Sequence, residues 1–237
     1  HTPTRRQRQM CIRDSWSNGY SGANILGLSV SRSGCLAANG RSQMHLSGDF
    51  GETWQGILYG KSYGLGDGLA IKFLSHDDSD QTIIATDANS GDLYYSNNLG
   101  KDWESATGLI DIEHSLFEES FGIHIVEEAT SNPMVLYAGY IQSKIKGQDP
   151  HQLDEIEQSP GMYKSIDGGM SWFPINNGLP DKDYSRNISD IAVSKQNENI
   201  VYINSLFDGL YYTVDGGESW NHLKGDLPAG MSWDDCG

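Results

Sequence analysis

Few clusters in this chain combine the residue types and spacing that chemistry needs. His76-Asp77-Asp78-Ser79-Asp80 groups oxygen donors of the kind that hold Ca²⁺. It has neither the mid-loop Gly nor the closing Glu of a helix-loop-helix calcium site, so it reads as a solvated turn. Asp167-Gly168-Gly169 and Asp215-Gly216-Gly217 are also turn sequences rather than calcium loops. The 7 His form no HExxH or i,i+4 pair, which leaves a catalytic zinc without support, and no metal or cofactor is expected. No nucleophile elbow, Walker A or dinucleotide fingerprint occurs. The 3 Cys (Cys11, Cys35, Cys236) are far apart, with neither a disulfide framework nor zinc spacing. Cys35 is expected as a buried structural thiol.

The elements that would position any site come from an internal repeat. Four segments align: Leu46-SGDFGETW-Gln55, Tyr95-SNNLGKDW-Glu104, Lys164-SIDGGMSW-Phe173 and Tyr212-TVDGGESW-Asn221. Their tryptophans, Trp54, Trp103, Trp172 and Trp220, are spaced by 49, 69 and 48 residues. A unit of about 48 residues fits a four-stranded propeller blade, with an insertion of about 20 residues in the third. Upstream of each box lie three strand-like runs, split by Gly, Asn and Asp. They are Ile25–Val30, Cys35–Ala38 and Gln43–Ser47, then Leu69–Leu74, Thr82–Thr86 and Leu93–Ser96. The third and fourth units repeat this with Gly122–Val126, Met134–Tyr140 and Gly161–Ser165, and with Ile188–Val193, Ile200–Asn204 and Leu210–Thr213. A fourth strand begins at each Trp. Only Ile110–Ser120 is a helix candidate, and it is short and acidic. The fold expectation is therefore all-β, a β-propeller of four-stranded antiparallel blades.

Each box reads as the hairpin between third and fourth strands. Its Asp accepts backbone N–H groups, its Gly takes a positive φ, and its Trp lays a large ring on the next element. The structural set is Ser47, Asp49, Gly51 and Trp54; Ser96, Asn98, Gly100 and Trp103; Ser165, Asp167, Gly169 and Trp172; Thr213, Asp215, Gly217 and Trp220. In the second box Asn98 replaces Asp and Asp102 replaces Ser or Thr, which predicts the same turn in weaker form.

The pattern resembles the Asp-box, or bacterial neuraminidase repeat, shared by sialidases, xyloglucanases, sortilin-like receptors and photosystem assembly factors. A sialidase of that kind would need an arginine triad on a carboxylate. Only Arg32, Arg41 and Arg186 lie beyond residue 14, so sialidase activity is disfavoured. Resemblance to xyloglucanases implies a carboxylate pair acting as acid and base, with Asp87 (Thr86-Asp87-Ala88-Asn89-Ser90-Gly91) and Asp208 (Phe207-Asp208-Gly209) as candidates. Both also read as ordinary turn aspartates. Tyr94, Tyr140, Phe207 and Tyr211 lie near these turns, as sugar-stacking platforms or as filling between blades. Whether the chain is an enzyme stays open. The leading expectation is a recognition or scaffold module that binds protein or carbohydrate on a propeller face. A glycoside hydrolase and a photosystem II-type assembly factor are the alternatives. The resemblance implies an extracellular or periplasmic location.

Composition narrows the partners. The chain has 237 residues, 16 Lys+Arg and 32 Asp+Glu, for a net charge of −16. That acidity opposes nucleic-acid binding and anionic membrane surfaces. No apolar run is long enough for a membrane helix, which takes about 20 residues. Residues 1–14 carry four Arg and no apolar run, and read as a non-native or unstructured leader. Residues 15–237 read as part of a propeller, with blades at about 20–62, 63–111, 112–180 and 181–228, and 229–237 opening another. The parent is expected to hold six to eight blades. The insertion Ser143–Pro160 is a candidate recognition loop, and Glu113–Glu119 is similar in kind. Asn187-Ile188-Ser189 matches a glycosylation acceptor.

Overall fold

In the computed structural model the described residues are 25–40, 44–57, 70–76, 80–86, 92–109, 122–141, 161–180, 186–206 and 208–224. They form sixteen strands in four antiparallel sheets, each sheet taking four strands in chain order. The first sheet holds β1 (Ile25–Val30), β2 (Leu36–Gly40), β3 (Met44–Ser47) and β4 (Gln55–Ile57). The second holds β5 (Ile71–Phe73), β6 (Ile83–Thr86), β7 (Leu93–Ser96) and β8 (Glu104–Ser105). The third holds β9 (Gly122–Glu128), β10 (Leu136–Ile141), β11 (Met162–Ser165) and β12 (Phe173–Pro174). The fourth holds β13 (Ile188–Val193), β14 (Val201–Ser205), β15 (Gly209–Thr213) and β16 (Asn221–His222). These are four propeller blades. The fourth strands start one residue after each Trp rather than at it, and β8, β12 and β16 are two exposed residues each. Such short outer strands leave little open edge for stray pairing. Ile110–Ser120, Glu113–Glu119 and Ser143–Pro160 lie outside the described residues. Among the described residues, no helix is long and apolar enough to cross a membrane.

Sequence alternation decides which side of a blade meets which neighbour. The register pairs Leu36, Ile83, Leu136 and Val201 with the box Ser47, Ser96, Ser165 and Thr213. One residue on, Ala37, Ile84 and Tyr137 are at most 1% exposed and point at the following blade. Three apolar clusters result, each shared by two successive blades. The first joins Ala37 and Met44 to Ile71 and Phe73. A second joins Leu74, Ile84 and Leu93 to Val126, Leu136, Tyr140 and Trp172. The third joins Tyr137, Met162 and Ile175 to Ile191, Val201 and Trp220. Burying side chains of this size contributes roughly 1.5–3 kcal/mol each, so the cohesion between blades is apolar.

A polar latch repeats beside the second and third clusters. Thr107 N donates to Met170 O at 3.0 Å, and Trp172 N returns a bond to Thr107 O at 2.8 Å. One blade later, Trp220 N donates to Asn177 O at 2.8 Å and Asn177 Nδ2 to Glu218 O at 2.9 Å. Gly108 and Gly178 follow these residues with φ of 82° and 90°. A Cβ on Gly108 would stand 2.0 Å from Trp172 O, and one on Gly178 2.3 Å from Trp220 O. Only Gly lets the chain pass that close to the next box.

Two expectations change here. Cys35 is 3% exposed, as a structural residue should be, but it is disulfide-bonded rather than a free thiol. Asn187 is 4% exposed, so the glycosylation acceptor is buried at the entry to β13.

Candidate functional site

First strands of neighbouring blades meet at two of the three junctions, β1 against β5 and β9 against β13. Along β1, β5 and β9 opens a cleft of 220 Å³, whose walls include Leu28, Ser29, Lys72, His124, Ile125 and Glu127. The ammonium of Lys72 donates to Glu127 Oε2 at 2.5 Å and to Val126 O at 3.4 Å. This pair ties the second blade to the third. Its side chains keep 24% and 36% exposure, so solvent screens it and its share of stability is small. Its value is orientation: two opposite charges stand fixed in the wall of a partly apolar cleft. Burial holds the His124 imidazole below its ordinary range, leaving it neutral at pH 7. Phe73 N donates to Ser29 Oγ at 2.9 Å and Ser75 N to Glu128 Oε1 at 2.6 Å, which locks the walls together.

Sequence reasoning did not single out Lys72, His124 or Glu127. The available signal was positional. Lys72 pairs with Ile84 and Glu127 with Tyr137, so both occupy the same register position of their first strands.

The catalytic and stacking candidates occupy other places. Asp87 and Phe207 lie outside the described residues. Asp208 stands in the turn from β14 to β15, where its carboxylate accepts the hydroxyl of Tyr211. The Tyr211 ring stacks on His222 at 4.8 Å between centroids, and His222 Nε2 donates to Asp208 O at 3.0 Å. Burial, then the hydrogen bond to Asp208, pushes the Tyr211 hydroxyl up to about 12. Tyr211 is 5% exposed in the cluster between third and fourth blades, and Tyr140 is 5% exposed in the cluster between second and third. Burial, with the charge of Tyr163 and Asp92 secondary, holds the Tyr140 hydroxyl far above its ordinary range. A stacking platform needs an open ring face, and neither ring offers one. Tyr94 is half-buried on β7, paired with Ala85 and Ser105.

The other candidate charges are dispersed as well. Arg32 is exposed in the turn after β1, Arg186 Nε donates to Pro180 O at 2.7 Å, and Arg41 lies outside the described residues. Asp80 Oδ2 accepts Ser33 N at 2.7 Å and so joins the first two blades. Among the described residues, no three His, Cys, Asp or Glu converge as metal ligands.

Three of the four box hairpins share one hydrogen-bond scheme around their Asp. In the first, Ser47 Oγ donates to Asp49 Oδ1 at 2.8 Å and accepts Gly51 N at 2.8 Å. Asp49 also accepts Thr53 N at 2.9 Å and Thr53 Oγ1 at 2.5 Å. Asp167 and Asp215 repeat this with Ser171 and Ser219. Gly51, Gly100, Gly169 and Gly217 all take positive φ. Trp172 is 3% and Trp220 4% exposed, whereas Trp54 and Trp103 are half-buried. The indole N–H of Trp54, Trp103 and Trp172 bonds its own box glycine, and that of Trp220 bonds Ile175 O of the preceding blade at 2.6 Å.

No family model and no curated protein sequence matches the chain. Solved structures do match in fold. The GH74 enzyme of Niastella koreensis superposes with a TM-score of 0.55 at 18% identity, over 86% of this chain and 25% of that one. The GH74 xyloglucanase of Xanthomonas campestris gives 0.56 at 13%, over 89% and 32%. YCF48 from Cyanidioschyzon merolae gives 0.53 at 17%, over 87% and 60%. The chain thus spans about a quarter to a third of the two GH74 enzymes. At these identities the likeness is one of fold, the β-propeller.

Proposed function

We propose that this chain is a recognition scaffold, extracellular or periplasmic, that binds a protein or carbohydrate ligand in the cleft along its first strands. The carrying observation is the cleft itself, in which the Lys72–Glu127 pair and the neutral imidazole of His124 stand beside Leu28 and Ile125. Fixed polar groups in a partly apolar concave wall suit orientation of a ligand. The carboxylates of its β9 wall are engaged, Glu127 by Lys72 and Glu128 by the backbone of Ser75, and away from the cleft Asp208 is engaged by Tyr211. A general acid or base needs a carboxyl aimed at substrate, so this pattern favours binding over hydrolysis.

The test is titration calorimetry of the 237-residue chain against oligosaccharide and peptide panels, repeated with Lys72→Ala and His124→Ala. A ligand that loses tenfold or more in affinity in both variants, with circular dichroism unchanged, supports the cleft. Unchanged affinity in both rejects it. Reducing-sugar release from xyloglucan or a β-glucan, lost in Asp87→Asn or Asp208→Asn, would replace this reading with a glycoside hydrolase built on that carboxylate pair.

A further inference from the structure

The four blades repeat one hairpin, so residues at matching positions can be compared one for one. The register fixes the matches, since Leu36, Ile83, Leu136 and Val201 each pair with the first box residue of their own blade. Four positions surround each hairpin: two residues before that strand residue, and the second, sixth and ninth residues of the box. The first blade fills them with Gly34, Gly48, Glu52 and Gln55, and the second with Gln81, Asn97, Lys101 and Glu104. The fourth has Asn199, Val214, Glu218 and Asn221. The third has Met134, Ile166, Met170 and Phe173, apolar at all four. Their exposures are 38%, 60%, 46% and 41%. Exposed apolar residues scattered singly need no explanation, but these are gathered about one turn. Gly168 N donates to Met134 O at 2.9 Å, which holds the β9–β10 turn against the hairpin that carries the other three.

This surface is not an open face of the array. The third blade is covered on one side by the second and on the other by the fourth, through two separate apolar clusters. A further blade stacks on the face of a blade and has no place on this hairpin. None of the four residues belongs to the walls of the cleft. Carboxylates flank the hairpin on both sides. Asp167 lies within it. Toward the second blade, Tyr95 donates its hydroxyl to Glu104 Oε2 at 2.8 Å. That bond, then burial and the charges of Glu104 and Asp167, raises the hydroxyl above its ordinary range. Toward the fourth blade, Ser131 Oγ of the β9–β10 turn donates to Glu198 Oε2 at 2.9 Å. Lys164, on the strand entering the hairpin, is engaged elsewhere: its ammonium lies over the Tyr137 ring and donates to Gly216 O at 2.9 Å.

We propose that this hairpin docks a partner protein through a segment that sets apolar side chains between Lys or Arg residues. The apolar side chains cover Met134, Ile166, Met170 and Phe173, and the cations meet Glu104, Asp167 and Glu198. Methionine thioethers are flexible and polarizable, so two of them accommodate varied apolar anchors. The same carboxylates repel an anionic lipid surface or a nucleic acid, which favours a protein segment as the occupant. Salt should weaken the docking without abolishing it, since screening acts on the ionic part alone.

Fluorescence anisotropy of labelled amphipathic peptides with the full chain tests this. One peptide places Leu on one face and Lys on the other, a second replaces its Lys by Glu, and a third replaces its Leu by Ser. Ile166→Asn combined with Met170→Gln makes the patch polar without changing the charge of the chain. Both side chains are exposed, so folding should persist, and Tm checks it. The Leu/Lys peptide should bind the wild type and lose about tenfold or more in the double variant, the scale of removing apolar anchors. The Leu/Glu and Ser/Lys peptides should bind the wild type no better than the Leu/Lys peptide binds the variant. Dilute peroxide reads the site directly. Met134 and Met170 should oxidise in the free chain while Met44 and Met162, both 0% exposed, stay intact, and saturating Leu/Lys peptide should slow the first two. This readout uses the wild type alone and does not depend on how the variant folds. Equal affinity of wild type and variant for the Leu/Lys peptide overturns the proposal, because acidity alone then explains the binding. So does a Leu/Glu peptide that binds as tightly, oxidation of Met134 and Met170 that the peptide leaves unchanged, or no binding at all.

Discussion

Asn98 and Asp102 exchange the roles that Asp and Ser or Thr hold in the other three box hairpins. Asn98 Oδ1 accepts Ser96 Oγ and Asp102 N, each at 3.0 Å, just as an Asp would. Its Nδ2 then donates to Asp102 Oδ2 at 3.0 Å, where Thr53, Ser171 and Ser219 instead donate to their aspartates. The turn keeps its full set of bonds with the last one reversed, so it is not the weaker turn that the substitution of Asn98 alone suggests. Asn98→Asp should set two carboxylates face to face and cost about 1 kcal/mol, and adding Asp102→Thr should recover most of it. Urea unfolding of the two single variants and the double variant measures that cycle. The three box aspartates carry a second consequence. Side-chain bonds from Ser219 and Thr213 hold the Asp215 carboxyl well below its ordinary value. Asp49 and Asp167 are also lowered: partial burial opposes ionisation, and the bonds from Thr53 and Ser171 outweigh it. Their folded values lie below the unfolded one of about 3.9, so their contribution is complete above that pH. It is lost as pH falls from there through the folded values. Tm should fall steeply below about pH 4, and Asp215→Asn, less stable at neutral pH, should show a shallower fall.

At the scale of the element, the latch between one blade's exit and the next box does what a box alone does not. Trp172 is 3% exposed and donates its backbone N–H to Thr107 O, so ring and backbone are secured together. Trp172→Ala should cost about 3–5 kcal/mol, in line with large aromatic deletions from cores. Gly108→Ala tests the latch without touching the ring. Its added Cβ would meet Trp172 O at 2.0 Å, at a φ of 82°. The loss should exceed the roughly 1–2 kcal/mol that left-handed backbone costs by itself, because the junction must also move apart. Gly34→Ala is the control. It has similar φ, 90°, but its nearest neighbour is the ring of Phe50, a side chain that is 60% exposed and free to swing. Chemical denaturation should place Gly34→Ala nearer wild type than Gly108→Ala.

For the whole molecule, cohesion runs from blade to blade through three shared clusters. An array of this kind behaves as nearest neighbours in a line, with stability greatest where both sides are covered. The third blade takes part in two clusters and the first in one. Hydrogen exchange should therefore be slowest in β10 and β11 and faster in β2 and β3, although β3 is buried throughout. Equal protection across the blades would mean a single cooperative unit instead.

Much of this architecture is legible without coordinates. The four boxes, their spacing and the period-two runs locate the strands within one or two residues, because a hairpin and its alternation are local. The same locality explains the failures. Alternation says that Tyr140, Tyr202 and Tyr211 have an inner and an outer side, but not that blades cover the first and last while Tyr202 stays open. Only the stacking of one blade on another decides that. Asp208 reads as a candidate acid until Tyr211 folds back onto it. Lys72 and Glu127 look like two isolated charges until the second and third blades meet. Cys35 reads as a lone thiol because no local spacing signals its disulfide. What the chain determines by itself is the blade, a matter of short-range spacing. What tertiary structure alone decides is which faces are shared, since burial belongs to the pair of surfaces that meet and not to either one.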